Sequence, residues 1–325
     1  MPRGPRYVEV GPGGHVALDT VRAFEAALAR AGAERIDLPM RALRPIGKTL
    51  SKMRLIPTRR QATGRPFIVT MMGPMEHRLF PVSFLAPVVI YAFDVWPAEY
   101  GWWADLFDRH GIAMAFFTAR DSAKWFADQG ILRSAGWLPE GTDVDAFDPS
   151  RRLRDRTIDV LEMGRRHPAV HEAIRAPLSR AGVAHLYQPS PDKLVFRSRD
   201  DLVRGLADTR ISVCFPSSDT HPGAVRGGTE VLTQRYLEAL ASGCLIVGRA
   251  PADLISLLGF DPVIALNATS PADHLESILH EIDSYQAHVD RGVRRVGEVG
   301  GWDDRASRLV SALNSQDQSH AGEPS

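Results

Sequence analysis

Glu230-Val-Leu-Thr-Gln-Arg-Tyr-Leu-Glu238-Ala-Leu-Ala-Ser-Gly243-Cys-Leu-Ile-Val-Gly248 sets two glutamates eight positions apart, then a run of small residues, then an apolar strand. On one continuous helix the two carboxylates would share a face. If Glu230 lies instead in the loop that opens the helix, with Thr233 as N-cap and Gln234 as the first helical residue, the pair brackets a helix N-terminus. Unbonded N–H groups and the helix dipole make such a terminus a seat for phosphate. A carboxylate on each side of an anion seat suits a ligand with hydroxyl-bearing groups at both ends of a diphosphate, which is the shape of a sugar nucleotide. The loop before it, residues 215–229, leaves an apolar run at 211–215, and loops that leave buried strands are where binding residues concentrate.

Working outward, strand-like and helix-like segments alternate twice. Apolar runs fall at 7–10, 35–38, 67–70, 88–93 and 112–117, then at 158–163, 184–187, 211–215, 245–247 and 263–266. Helical periodicity falls at 18–31, 98–109 and 121–129, then at 169–181, 200–207, 234–241, 251–258 and 271–289. Runs this apolar suit parallel strands buried on both faces. The pattern predicts an α/β chain of two Rossmann-like doubly wound domains, 1–150 and 151–300, facing across a cleft. A helix at about 302–314 is expected to cross back to the first domain, and a polar tail at 315–325 to lack structure. The stretch 137–149, dense in Pro, Gly and Asp, reads as the link between domains, and the charged run 151–156 as a surface linker.

Composition narrows the class. Lys and Arg number 39, as do Asp and Glu, so no net field draws the chain to nucleic acid or to an anionic membrane. The longest nearly pure apolar run, 84–93, is too short to span a bilayer, and no apolar signal core follows the basic start, so a cytoplasmic protein is expected. Richness in Ala, Arg and Gly hints at a bacterial source. Cys214 and Cys244 sit in apolar runs and read as buried free thiols.

The quoted residues resemble the donor-site signature of retaining, GT4-like glycosyltransferases of the GT-B fold, the glycosyl transferase group 1 family. Three other segments fall in that family's order: 137–149 is similar to its hinge pattern, Val160-Leu-Glu-Met-Gly-Arg165 to the opening of its second domain, and Gly301-Trp302 to the tryptophan before its returning helix. The resemblance covers roughly residues 85–313. It implies a nucleotide-sugar donor, an acceptor hydroxyl, retention of configuration, no cofactor and no metal. Glu230 would hold donor-sugar hydroxyls and Glu238 the ribose hydroxyls. Backbone near Thr233 and Gln234 would meet the distal phosphate. Arg165, with Gly164 and Arg166 beside it, would meet the diphosphate. The resemblance is to a divergent member: Val231-Leu232 stand where the family has a Gly-rich turn, Arg166 and His167 near the place of its lysine, and Glu140 in place of its asparagine.

Other candidates divide evenly or lean to plain structure. Gly11-Pro-Gly-Gly14 reads either as a loop whose Gly13 approaches phosphate or as an ordinary strand–helix turn. Asp94 ends a buried strand and reads as a polar group for the reacting sugar or as an N-cap for the helix after Pro97. Asp143-Val-Asp145 fits the hinge better than a metal motif. His167 and His171 lack a third zinc ligand and read as a surface pair, and His221 lies on the loop before Glu230. The basic stretch 41–60 is a solvated loop, a site for a phosphate-bearing or acidic acceptor, or a weak membrane-surface contact. Two other functions stay open, a sugar-nucleotide epimerase of the same fold and a non-catalytic sugar-nucleotide-binding partner. Neither domain has a full dinucleotide fingerprint, which disfavours a dehydrogenase.

Overall fold

A computed structural model describes residues 4–9, 17–58, 64–164, 166–188, 193–220, 223 and 227–321. The chain divides into two compact units, one of residues 1–140, 224–229 and 302–325, the other of 141–223 and 230–301. The division falls after Glu140, ten residues earlier than the composition of the link implies.

The first unit is built on six parallel strands, β1 (Arg6–Tyr7), β2 (Glu34–Arg35), β3 (Phe67–Met72), β4 (Val88–Phe93), β5 (Met114–Phe117) and β6 (Ser134–Trp137). Their spatial order is β2-β1-β3-β4-β5-β6. Strand β4 shows why the sequence reads as continuously apolar: Val88, Ile90 and Ala92 join the core on one face, and Val89, Tyr91 and Phe93 the core on the other. The last helix, Trp302–Ala321, belongs to this unit and buries Trp302, Ala306, Leu309 and Leu313 against Phe24 and Tyr91. It runs past the expected start of an unstructured tail at 315, since no Gly or Pro interrupts the sequence before Gly322.

The stretch from residue 41 is not an irregular loop: Met40–Lys52 is a helix despite an internal Pro45 and Gly47. Tertiary packing overrides propensity here. Gly47 is buried so tightly that a Cβ would lie 2.9 Å from the His77 carbonyl oxygen, which lets the helix sit directly on the turn Glu76–Leu79. Buried Glu76 fixes that turn. Its carboxylate accepts from Ser51 Oγ at 3.0 Å, from His110 Nε2 at 2.9 Å and from Arg109. Burial alone would raise its pKa, but these donors hold the carboxyl below the ordinary range. Glu76→Ala leaves Nε2 of the buried His110 without its carboxylate and takes from the half-buried Arg109 one of its two carboxylate partners. It is expected to cost about 3 kcal/mol or more, read as a lower urea midpoint at unchanged slope. A depressed folded pKa means that this contribution is present near neutral pH and is lost as pH falls through the folded value.

The second unit carries five parallel strands, β7 (Ile158–Glu162), β8 (His185–Tyr187), β9 (Thr209–Cys214), β10 (Leu245–Gly248) and β11 (Val263–Ala265), in the order β11-β10-β9-β7-β8. The run 151–156 is no loose linker. Leu153 and Arg156 are fully buried in this unit, because the Arg156 guanidinium satisfies carbonyl groups that the fold would otherwise leave bare. Residues 271–289 form two helices, Pro271–His280 and Gln286–Val299, broken by the turn Ile282–Tyr285, where Ser284 Oγ donates to the Glu281 carbonyl. Cys214 and Cys244 are free and buried. Among the described residues, no helix is long and apolar enough to cross a membrane.

Candidate functional site

In an open parallel sheet, ligands bind beyond the carboxyl ends of the strands, where the strand order reverses. In the second unit that point lies between β7 and β9. The loop after β7 holds Gly164. The segment after β9 holds Ser217–Thr220 and leads, through 227–229, to Glu230 and the helix Gln234–Ala241. Glu230 is therefore in the loop and Glu238 in the second turn of the helix, so of the two readings of the pair the bracketing one holds. Thr233 is the N-cap residue, extended at φ −98° and ψ 151°, but its side chain makes no capping bond. The first helical N–H groups thus have no partner in that hydroxyl. Gln234 spends its side chain elsewhere, donating Nε2 to the Gly141 carbonyl at 3.0 Å.

Glu238 is 7% exposed, and side chains on a helix lean toward its N-terminus, so this carboxylate lies under the first turn. Arg199 Nη1 donates to Glu238 Oε1 at 2.7 Å, and the Arg199 guanidinium lies 4.7 Å from the centre of the Phe147 ring. Burial pushes the Glu238 carboxyl above its ordinary pKa, and the Arg199 charge opposes that shift in part.

Glu230 is held at its other end. Arg249, just past β10, reaches Glu230 Oε1 at 2.5 Å and forks onto both oxygens of Asp219 at 2.6 Å. Glu230 Oε2 accepts from the backbone N–H of Ala252 at 3.2 Å. Hydrogen bonds to Arg249 lower the Asp219 pKa, and those same carboxylates raise that of Arg249. A carboxylate has about four lone-pair sites, so Glu230 keeps capacity for a ligand hydroxyl while Arg249 fixes its position.

Gly164 has φ +71°, a left-handed conformation that favours glycine, and a Cβ there would lie 3.2 Å from an Arg235 guanidinium nitrogen. Arg235 thus stands beside the glycine of the loop after β7. Arg166 turns away: its Nη1 donates to His171 Nε2 at 2.9 Å, and its guanidinium lies 5.6 Å from the Tyr187 ring centre. His171 is buried, not at the surface, because it belongs to a hydrogen-bonded chain. An arginine only donates, so Nε2 of His171 accepts, and its Nδ1–H goes to Glu162 Oε2 at 2.5 Å. His185 Nε2 meets the same oxygen at 3.0 Å. Glu162, His171 and His185 could converge on a metal ion, but Arg166 on the far nitrogen of His171 fits a proton-satisfied chain better. His167 caps the helix Pro168–Arg180 by accepting from the Val170 N–H at 3.4 Å.

Asp94 belongs to the first unit and stands at the carboxyl end of β4 with φ +52°. Aspartate is one of the few residues with a Cβ that adopt this left-handed conformation at modest cost. Asp94 is not the N-cap of the following turn; that position is Trp96. Gly13, Arg165 and His221 lie outside the described residues. The sequence reading missed Arg199, Asp219, Arg235 and Arg249. Arg235 had a signal, being the second residue of the predicted helix. Asp219 stands in the loop 215–229 that the sequence marks as a whole, Arg199 opens the helix Arg199–Ala207 and Arg249 follows β10, and nothing local singles out any of the three.

No known family model matches the chain, and no curated protein matches its sequence. Solved structures do match its fold. HepE from Anabaena, in complex with UDP and glucose, is 12% identical with a TM-score of 0.59 over 95% of this chain and 99% of that one. Sucrose-phosphate synthase from Thermosynechococcus elongatus is 12% identical at 0.60, over 98% and 100%. AviGT4, a glycosyltransferase involved in Avilamycin A biosynthesis, is 15% identical at 0.55, over 99% of both. With two parallel-sheet, Rossmann-like domains, the chain has the fold of these GT-B proteins.

Proposed function

We propose that the chain is a glycosyltransferase, moving a sugar from a nucleoside-diphosphate donor to an acceptor hydroxyl with retention of configuration. The observation that carries this reading is the pair Glu230 and Glu238, set around a helix N-terminus that its own N-cap side chain leaves open, at the switch point of a parallel sheet. Glu238 accepts from the ribose hydroxyls and Glu230 from the donor sugar. The diphosphate lies between them on the helix N–H groups. As the glycosidic bond breaks, charge grows on the leaving diphosphate, and fixed donors aimed at it stabilise the transition state. Arg235, beside Gly164, joins Arg165 as a candidate counter-charge, and Arg166 acts through His171. Asp94 is a candidate group for the reacting sugar.

These cations and the helix terminus supply the charge that a divalent ion supplies in other transferases, so we infer a metal-independent reaction. HepE was solved with UDP and with UDP-glucose, which makes UDP-glucose the first donor to try. The test is a panel of UDP, GDP, ADP and dTDP sugars with excess EDTA, following nucleotide release and the anomer formed. Release unchanged by EDTA and an acceptor product with the donor's anomeric configuration are expected. Loss of release in EDTA would overturn the metal-independent reading. Donor binding without any turnover, across acceptors, would overturn catalysis in favour of a binding partner. A product sugar epimerised while still on its nucleotide would identify an epimerase.

A further inference from the structure

The chain passes between its two units four times, after Glu140, Gly223, Thr229 and Gly301. The first crossing is the link between domains and the last begins the returning helix. The middle two are of another kind. β9 and the helix Gln234–Ala241 both belong to the second unit, yet residues 227–229 between them belong to the first. The boundary falls directly before Glu230: Thr229 is on one side of it and Glu230 on the other.

Two contacts fasten this strap inside the first unit. Gly227, at φ +54°, comes so close to the turn Pro97–Glu99 that a Cβ would lie 2.9 Å from Pro97 Cγ, an approach that needs glycine. Gly228 is also left-handed, at φ +77°, but a Cβ there would meet nothing within 4 Å. Thr229 is buried, and its side chain hydrogen-bonds to the hydroxyl of Tyr100. That hydroxyl lies 3.1 Å from Ser122 Oγ, and Ser122 Oγ donates to the Val95 carbonyl at 2.9 Å. Each hydroxyl has one proton. Ser122 spends its proton on Val95, so Tyr100 donates to Ser122 and Thr229 donates to Tyr100. Burial raises the Tyr100 pKa, which keeps the proton in place for that bond. Hydrogen bonds aligned in this way polarise and strengthen one another away from water. The Tyr100 ring is itself held by Trp125 and Phe126, with centres 4.6 Å and 5.4 Å away. The chain of hydroxyls thus runs from the residue before Glu230 to the carbonyl of the residue after Asp94.

We propose that Thr229 and Tyr100 are positioning residues for Glu230. Arg249 and the Ala252 N–H hold the Glu230 carboxylate from within the second unit. The strap 227–229 fixes its backbone from the other side of the boundary, and the two together set where the carboxylate is presented. The role rests on the transfer reaction proposed above, in which Glu230 holds the donor sugar and Glu238 the ribose. A loosened strap is therefore felt by the sugar and not by the nucleotide.

Thr229→Val keeps the shape of the side chain and Tyr100→Phe keeps the ring, and each removes one hydroxyl. Each is expected to lower kcat/KM for transfer about tenfold, the factor one buried hydrogen bond carries, and to weaken UDP-glucose while UDP binds as before. The double variant should lose little more than either single one, because both break the same chain. Gly227→Ala and Gly228→Ala both set a Cβ in the left-handed region, but only Gly227→Ala meets Pro97. Gly227→Ala is expected to match the hydroxyl variants, and Gly228→Ala to keep most of the transfer. The strap itself is read without any donor, by hydrogen exchange of the full-length protein followed by mass spectrometry. The peptide over 227–233 should exchange faster in Thr229→Val, Tyr100→Phe and Gly227→Ala, with β4 and β9 protected as before. Unchanged exchange in the two hydroxyl variants overturns the strap. Equal weakening of UDP and UDP-glucose, or equal loss in Gly227→Ala and Gly228→Ala, overturns the positioning role in favour of general damage. A wild-type chain that transfers no sugar refutes the proposed function, and exchange then decides the strap alone.

Discussion

Glu238→Ala is expected to lower kcat/KM for transfer by about 100-fold or more, and to weaken nucleotide binding by a similar factor. Two hydroxyl groups donating to an ionised carboxylate contribute about 1.5–3 kcal/mol each, and the loss of both gives that factor at the low end. The isosteric Glu238→Gln keeps the shape and tests the charge. The acid limb carries more information than the amplitude. Burial raises the Glu238 pKa, so its ionised form, the better acceptor, appears only above the ordinary carboxylate value of about 4.3. Nucleotide affinity should therefore fall on acidification at a higher pH than a solvated glutamate would give. Arg199 opposes the shift, so Arg199→Met should move the limb further up in pH while leaving affinity at high pH less affected. Arg199 does not need to touch the ligand for this, which makes it a positioning residue. Calorimetric titration with UDP from acid to neutral pH checks both statements, and a limb that stays in place in Arg199→Met would refute the role given to that arginine.

The sequence carried the fold because β4 and its neighbours are apolar on both faces, a pattern that only a sheet covered on both sides requires, and because strand and helix periods alternate twice. It carried the helix Gln234–Ala241 through Thr233 and the small residues up to Gly243. It did not carry Met40–Lys52, since Pro45 and Gly47 argue against a helix locally and the contact with His77 that favours it is thirty residues away. Nor did it carry the partners of the two glutamates. Glu230 and Glu238 stand in one short stretch, but Arg249 comes from the turn after β10 and Arg199 from the first position of the helix Arg199–Ala207. Charge pairs between elements leave no periodic trace, so an arginine that will hold a carboxylate looks like any solvated arginine. Arg156 was misread for the same reason.

Arg156→Met is expected to destabilise the second unit by about 3–5 kcal/mol, the largest single effect on folding anticipated in this chain. Arg156 is 1% exposed and its guanidinium serves four carbonyl groups: Arg151 at 2.8 and 3.0 Å, Ser242 at 2.8 Å, Thr209 at 2.9 Å and Leu206 at 3.4 Å. The Leu206 and Ser242 carbonyls end the helices Arg199–Ala207 and Gln234–Ala241, where the last C=O groups lack helical partners and the dipole favours a cation. One side chain thus closes two helices and pins the entry segment of the unit. Methionine fills much of the volume but donates nothing, leaving buried carbonyls bare. Burial lowers the Arg156 pKa from a value so high that the group stays charged near neutral pH, so a lysine, reaching fewer acceptors, should recover only part of the loss. Gly243 is the steric counterpart, with φ +68° and a Cβ position 2.9 Å from an Arg156 guanidinium nitrogen. Gly243→Ala should act in the same direction and, because it strains the same contact, should add little to Arg156→Met. Calorimetry that resolves two transitions would test this: the transition of the second unit should drop and that of the first should not. Because Glu238 rides on the helix that Arg156 closes, UDP should restore part of the lost melting temperature. Full stability of Arg156→Met would show that water or other donors satisfy those carbonyls and would remove Arg156 from the framework of the site.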